Sequence, residues 1–320
     1  GYGVFLANPW PHVYFDMGKT DPTKWFFHTP GGDCDLYIIK GDDFKDIVSA
    51  YTEMTGRNPF PDKWHIGFWC SSVQLPTADF VTENMRRMHR EGYPADAVAI
   101  DGCWRSGPLF ADKYTRSHTY LASDYEWHRD FGDGRRMIEE LDKENIKAVL
   151  HINSCAFKKS TIDYAVERGL LREITDGAVA NLATAEGEEY YEKLLTPVIE
   201  DGVVQWWTDH ADRISGEIKP GLPSRNIFGF LWNKLINRVM AQNGVENHMC
   251  LSRGGGIGSQ RYAIPWPGDT AFGMERYEED IWFMLSAGLC GFGMQSVDLG
   301  GFSRPLTGRD MSREEVLAAE

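Results

Sequence analysis

From Trp64 onward the sequence alternates short apolar runs with amphipathic stretches of helical period, and this alternation limits the fold more than any other feature. Trp64-His-Ile-Gly-Phe-Trp69 reads as a strand. Thr77 opens a helix carrying Phe80, Val81, Met85 and Met88, which Gly92 ends. The strand Ala97-Val-Ala-Ile100 stops at Asp101, and the loop from Gly102 to about Phe131 is too long for a passive connection. A helix with Met137, Ile138 and Leu141 leads to the strand Ala148–Ile152. A second excursion, 155–200, carries a helix from about Glu186 to Glu200 and precedes the strand Val203–Thr208. A helix over Ser224–Gln242, ended by Gly244, leads to short strands at Met249–Ser252 and near Trp266. The helix Met274–Leu289 and the strand Gly291–Val297, stopping at Asp298, complete the series. Seven strands with helices between them predict an α/β chain with a parallel barrel or a doubly wound sheet. No G-x-G-x-x-G follows the first strand, which weighs against the dinucleotide-binding sheet.

A (β/α)8 TIM barrel takes eight strands, and the sequence reaches Glu320 in a helical stretch before an eighth. Gly3–Ala7, His12–Asp16, Trp25–Phe27 and Leu36–Ile39 read as strands, too few for a sandwich of their own. They are expected to be the end of an N-terminal β-sandwich domain. A helix over Asp43–Thr55, with Phe44, Ile47, Val48 and Tyr51 on one face, links it to the rest. The breaker-rich Gly56–Pro61 marks the border, with 1–58 on one side and the barrel, 59–320, on the other. The expectation is a piece of a longer protein, with its barrel truncated before the eighth strand.

A net charge of −14 argues against nucleic acid or an anionic membrane surface as a partner. No apolar run approaches the length of a membrane-spanning helix. Eleven Trp residues in an acidic chain point to sugar rings as readily as to an aromatic core. The six cysteines (34, 70, 103, 155, 250 and 290) contain no C-x-x-C pair and read mostly as buried free thiols, a pattern compatible with the cytoplasm. Oligomeric state is not readable.

Strand ends deliver carboxylates at Asp101, Asp209, Asp269 and Asp298. Singly, each is equally a helix cap. Together, on a fold whose active site lies at the strands' C-terminal rim, they read as one acidic pocket. The Gly202–Arg213 stretch is the clearest case, an apolar β-branched run ending in Asp209. Two facing carboxylates serve glycoside hydrolysis, and Asp209 and Asp269 stand on different strands. A mixed Asp/His metal site using His65, His151 and His210 is the rival, although no H-E-x-x-H spacing exists. Arg253-Gly-Gly-Gly256 could cradle a phosphate, but lacks the Lys-Ser/Thr partner.

The segment Arg253-Gly-Gly-Gly-Ile-Gly-Ser-Gln-Arg-Tyr-Ala-Ile-Pro-Trp-Pro-Gly-Asp269 resembles a signature of glycoside hydrolase family 31, the retaining exo-α-glycosidases. Arg253, Gly258, Gln260, Trp266 and Asp269 keep its register. Tyr51–Arg57 with Pro61, Gly67-Phe-Trp69, Asp101-Gly-Cys-Trp104, Gly291–Asp298 and Gly300-Gly-Phe302 extend the likeness along nearly the whole chain. The resemblance implies Asp209 as nucleophile and Asp269 as general acid/base. It implies Asp101, Trp104, His151, Trp207, Arg253, Trp266 and Asp298 as substrate-binding residues, with no metal or cofactor. The implied substrate is an oligosaccharide or glycoside of the α-glucoside or α-xyloside class. A non-catalytic glycan-binding barrel, an α-galactoside-active variant, a transglycosylase and a lyase are the alternatives. Asp212 stands where the family often has Glu, and His151 where xylosidase-like members tend to carry Trp. Trp207 is glucosidase-like, so the substrate signals conflict.

Overall fold

A computed structural model describes residues 1–72, 75, 77–105, 125–154, 167–174, 177–214 and 216–302. Part of the long loop (106–124), Cys155 with the start of its excursion (155–166), and the expected C-terminal helical stretch (303–320) lie outside the described residues. At the N-terminus β1 (Tyr2–Leu6) pairs antiparallel with β4 (Leu36–Lys40), and β2 (Tyr14–Asp16) with β3 (Phe26–His28). Asp43 caps α1 (Phe44–Thr55) by accepting the N–H groups of Lys45 and Asp46. Phe5 meets Tyr51 edge-on at 5.0 Å and ties α1 to β1. Phe44 does not join that face, being 74% exposed.

Six parallel strands then form one sheet: β5 (Phe68–Ser72), β6 (Ala95–Ile100), β7 (Lys147–Asn153), β10 (Gln205–Asp209), β13 (Cys250–Ser252) and β14 (Ala263–Pro265). They neighbour one another in chain order, as successive βα units of a barrel do. Between them lie α2 (Ala78–Arg90), α3 (Gly134–Lys143), α4 (Ala185–Glu200) and α5 (Ser224–Gln242), and α6 (Met274–Leu289) follows β14. Thr77 caps α2 through the N–H of Phe80, and Thr184 caps α4 through that of Gly187. The sequence does not show two hairpins: β8 (Leu171–Ile174) with β9 (Gly177–Ala180) inside the 155–200 excursion, and β11 (Glu217–Lys219) with β12 (Leu222–Pro223) between β10 and α5.

The sheet has two buried faces, and each has its own core. On the outer face Val98, Ile100, Leu150, Ile152, Trp206 and Cys250 pack with helix residues such as Val81, Met137, Leu195 and Trp232. On the inner face Ala97, Ala99, Val149, Trp207, Leu251, Ile264 and Trp266 form a smaller cluster. Alternation along β10 therefore sends Trp206 outward and Trp207 inward.

Three strands differ from expectation. Lys63–Ile66 is a 3₁₀ turn, because His65 Nδ1 accepts the Asp62 N–H at 3.2 Å and its ring stacks on Trp64; the strand starts at Phe68. The strand at Val203 starts at Gln205 and includes Asp209. Gly291–Val297 forms no ladder among the described residues. It runs beside β14 with one backbone hydrogen bond there, Ser296 N–H to Pro265 O at 3.0 Å, after Gly291 turns the chain at φ 87°. The end of α1 and the start of the breaker-rich Gly56–Pro61 stretch are tied to the segment between β13 and β14, since Gln260 Nε2 donates to Thr55 Oγ1 and Gly56 O, both at 2.8 Å. No helix among the described residues is long and apolar enough to cross a membrane.

Candidate active site

The strand ends converge as the register requires. Trp207 pairs with His151 on β7 and with Leu251 on β13, and Asp209 pairs with Asn153. Parallel partners share a face, so His151, Trp207 and Asp209 look into the barrel together. The His151 ring meets Trp207 edge-on at 4.7 Å, and Trp207 meets Trp266 at 5.3 Å.

Arg253, just past β13, is the hub. Its Nη2 lies 2.7 Å from Asp209 Oδ1, its Nε 3.3 Å from Asp212 Oδ1 and its Nη1 3.6 Å from Asp269 Oδ1. The Nη2 contact is a charge contact rather than a directed hydrogen bond. The Arg253 guanidinium also sits 5.4 Å from the Trp266 ring centre.

The carboxylates stand in opposite environments. The Asp209 side chain is 9% exposed and that of Asp269 49%. Burial pushes Asp209 up, but hydrogen bonds from His151 and His210 outweigh it and hold the carboxyl well below the usual range. His151 Nε2 is 3.4 Å and His210 Nε2 3.0 Å from Asp209 Oδ2. Asp269 is shifted upward, chiefly by burial; Arg253 opposes the shift, and the charges of Asp209 and Asp101 add to it.

Asp101 directly follows β6, accepts the N–H of Gly102 to cap the following turn, and faces His151 Nδ1 at 3.5 Å. It thus does the structural job of a cap while also bordering the site. Asp298 accepts Trp266 Nε1 at 2.9 Å and Thr270 N–H at 3.3 Å, and so holds the indole in place. Trp104 does not join this surface. It is fully buried on the outer side of the sheet against Trp127 and Trp206, where its Nε1 donates to His151 O at 2.8 Å.

His65 also stands apart from His151 and His210. It precedes β5, at the N-terminal end of the sheet, with buried His248 as an electrostatic neighbour. The Arg253–Gly256 turn has a packing role: a Cβ on Gly254 would stand 2.8 Å from Ala211 Cβ, and one on Gly229 of α5 2.7 Å from Gly255 N. A cleft of about 520 Å3 lies away from the carboxylates, lined by Phe5, Trp10, Tyr51, Arg225 and Ile257 among others. The five described cysteines are free; Cys103 and Cys250 are buried, whereas Cys34 and Cys290 are exposed, contrary to the expectation of mostly buried thiols.

Two residues at this rim escaped the sequence reading as members of the carboxylate cluster. The sequence offers His210 only as a candidate metal ligand. Arg105 is fully buried beside Trp104, its three guanidinium nitrogens without hydrogen-bond partners among the described residues, within electrostatic reach of Asp101 and Asp209.

The family model for the Glycosyl hydrolases family 31 TIM-barrel domain matches residues 58–318. The chain belongs to glycosyl hydrolase family 31. Among its relatives, the α-xylosidase of Emericella nidulans is 24% identical over 94% of this chain and 40% of its own length. Alpha-glucosidase 2 of Bacillus thermoamyloliquefaciens is 22% identical over 98% of this chain and 42% of its own. The Flavobacterium johnsoniae GH31 dextranase, solved with glucose, superposes with a TM-score of 0.80 at 19% identity, covering 96% of this chain and 40% of that one. The chain thus spans about two fifths of the length of these relatives. The six parallel strands are an arc of the family's TIM barrel.

Proposed function

We propose that this family 31 chain carries the catalytic centre of a retaining exo-α-glycosidase, with Asp209 as nucleophile and Asp269 as general acid/base. The observation that carries the reading is Arg253, which touches two carboxylates whose acidities are driven apart, Asp209 downward and Asp269 upward. A nucleophile must be ionised, and an acid must hold its proton at working pH. The chemistry runs in two displacements. An Asp209 oxygen attacks the anomeric carbon while Asp269 gives its proton to the departing glycosidic oxygen, leaving a glycosyl ester on Asp209. Asp269, now a carboxylate, takes a proton from water, whose oxygen attacks the same carbon and releases Asp209.

Asp101 would accept hydroxyl groups of the terminal sugar, and His151, Trp207, Trp266 and Arg253 would wall its pocket. Relatives named α-xylosidase and α-glucosidase support an α-xyloside or α-glucoside substrate. The division at residues 58 and 59 into an N-terminal β-domain end and a barrel is proposed with it. The test is a panel of p-nitrophenyl α-glycosides of glucose, xylose and galactose. Turnover of one of them, lost in Asp209→Ala, is expected; near-normal turnover by that variant overturns the assignment.

A further inference from the structure

Asp209 is gripped by its own neighbour in sequence. His210 adopts φ 62° and ψ 4°, a left-handed conformation uncommon for residues other than glycine. Its backbone N–H donates to Asp209 Oδ1 at 2.7 Å, while its Nε2 reaches Asp209 Oδ2 at 3.0 Å. The left-handed turn brings the main chain and the side chain of one residue onto both oxygens of the carboxylate before it. Backbone strain that persists at a site is a pointer to a role there. His210 is 6% exposed, so little solvent competes for these contacts.

From β7, His151 Nε2 approaches the same Oδ2 at 3.4 Å, and its other nitrogen faces Asp101 Oδ1 at 3.5 Å. Arg253 closes the remaining side at Oδ1. We propose that His210 is a positioning residue for Asp209: its strained backbone and its imidazole together fix both carboxylate oxygens, with His151 as the opposing brace on Oδ2. The inference rests on Asp209 being the nucleophile, but its first test does not.

Oriented donors on both oxygens fix the plane of the carboxylate, and they stabilise its ionised form over the protonated one. The direction of the Asp209 shift, with His151 and His210 as the downward causes, agrees. The charged or titratable groups facing Asp209 are His210 beside it, His151 from β7, Arg253 from the loop after β13, and Asp269, Asp101 and Arg105 at longer range. Losing His210's imidazole should let Asp209 protonate at higher pH, and should do so whether or not the substrate has been identified.

The experiment follows the Asp209 carboxyl by 13C NMR through an acid titration of the protein, with no substrate present. His210→Phe removes the donor and keeps a ring, His210→Gln keeps an N–H, and His210→Gly removes the imidazole while relaxing the backbone. We expect the Asp209 titration to move up by about one pH unit or more in the Phe and Gly variants and to return part of the way in the Gln variant. If His210→Phe does not fold, His210→Gly carries the same reading. An unmoved titration in a folded variant overturns the proposal. A second arm measures kcat/KM against pH on the glycoside that the wild type turns over. The acid limb should rise with the NMR value, kcat falling on the order of tenfold at the acid end while KM changes little. A raised KM with unchanged kcat and an unmoved limb would instead make His210 a sugar contact. Absence of turnover by the wild type removes the glycosidase reading but leaves the NMR result to decide the brace.

Discussion

Trp266 Nε1 donates to Asp298 Oδ1 at 2.9 Å, so the residue after β14 is held by one that follows the Gly-rich segment beside it. That carboxylate also accepts the Thr270 N–H. Burial pushes its pKa up to about 6, against the pull of both hydrogen bonds. A carboxyl whose pKa is raised by folding contributes stability that is full below its unfolded value and is lost as pH rises through the folded one. The window runs from about pH 4 to about 6. Asp298→Asn keeps an acceptor for the indole and removes the titration. The melting temperature of the variant minus that of the wild type should therefore grow from pH 4 to pH 7. A constant difference would contradict this.

Asp209's charge is one of the influences that raise Asp269. Asp209→Asn should lower the Asp269 pKa, read by 13C NMR of the carboxyl. The shift should be modest, because burial is the larger cause. No downward movement would mean that the two groups do not sense one another.

If Asp269 is the acid, its loss must hurt most where the leaving group needs a proton. Asp269→Ala should slow hydrolysis of an unactivated disaccharide by roughly 10²–10⁴-fold. The first displacement on a dinitrophenyl glycoside should suffer far less, and a pre-steady-state burst should then reveal the accumulating ester. Equal losses on both substrates would remove Asp269 from that role.

The loop carrying Arg253 lies directly on α5. A methyl on Gly229 would meet the backbone of Gly254 and Gly255 at 2.7–2.8 Å, and backbone cannot rotate away. Gly229→Ala should cost about 1–3 kcal/mol, read as a lower urea midpoint with unchanged slope. An unaltered midpoint would show that the loop yields freely.

Helices were the most legible elements. Ser224–Gln242 and Met274–Leu289 have the predicted ends, because breakers and periodicity act within a few residues. Strands were less so. The glycine-rich run before Asp298 has strand composition but makes one bond to its neighbour, and pairing is not a local property. Trp104 shared the family motif but was turned to the outer core. Asn233 on α5 was not singled out. It is buried, and it ties β10 to β13 by hydrogen bonds with Thr208 Oγ1 at 3.2 Å, Ser252 Oγ at 3.1 Å and Gly254 O at 2.9 Å.

By itself the sequence determined the βα alternation, the carboxylates near the ends of its apolar runs, and the family signature from Arg253 to Asp269. These depend on residue type and spacing, which a linear string contains. Tertiary structure decided the rest. Both faces of the parallel sheet are buried, so hydrophobicity could not say that Trp207 looks inward and Trp206 outward. Only the folded chain brings Arg253 to both Asp209 and Asp269, parts one acidity from the other, and turns His210 back onto the carboxylate before it. Burial and through-space charge set those relationships, and neither can be read from residue order.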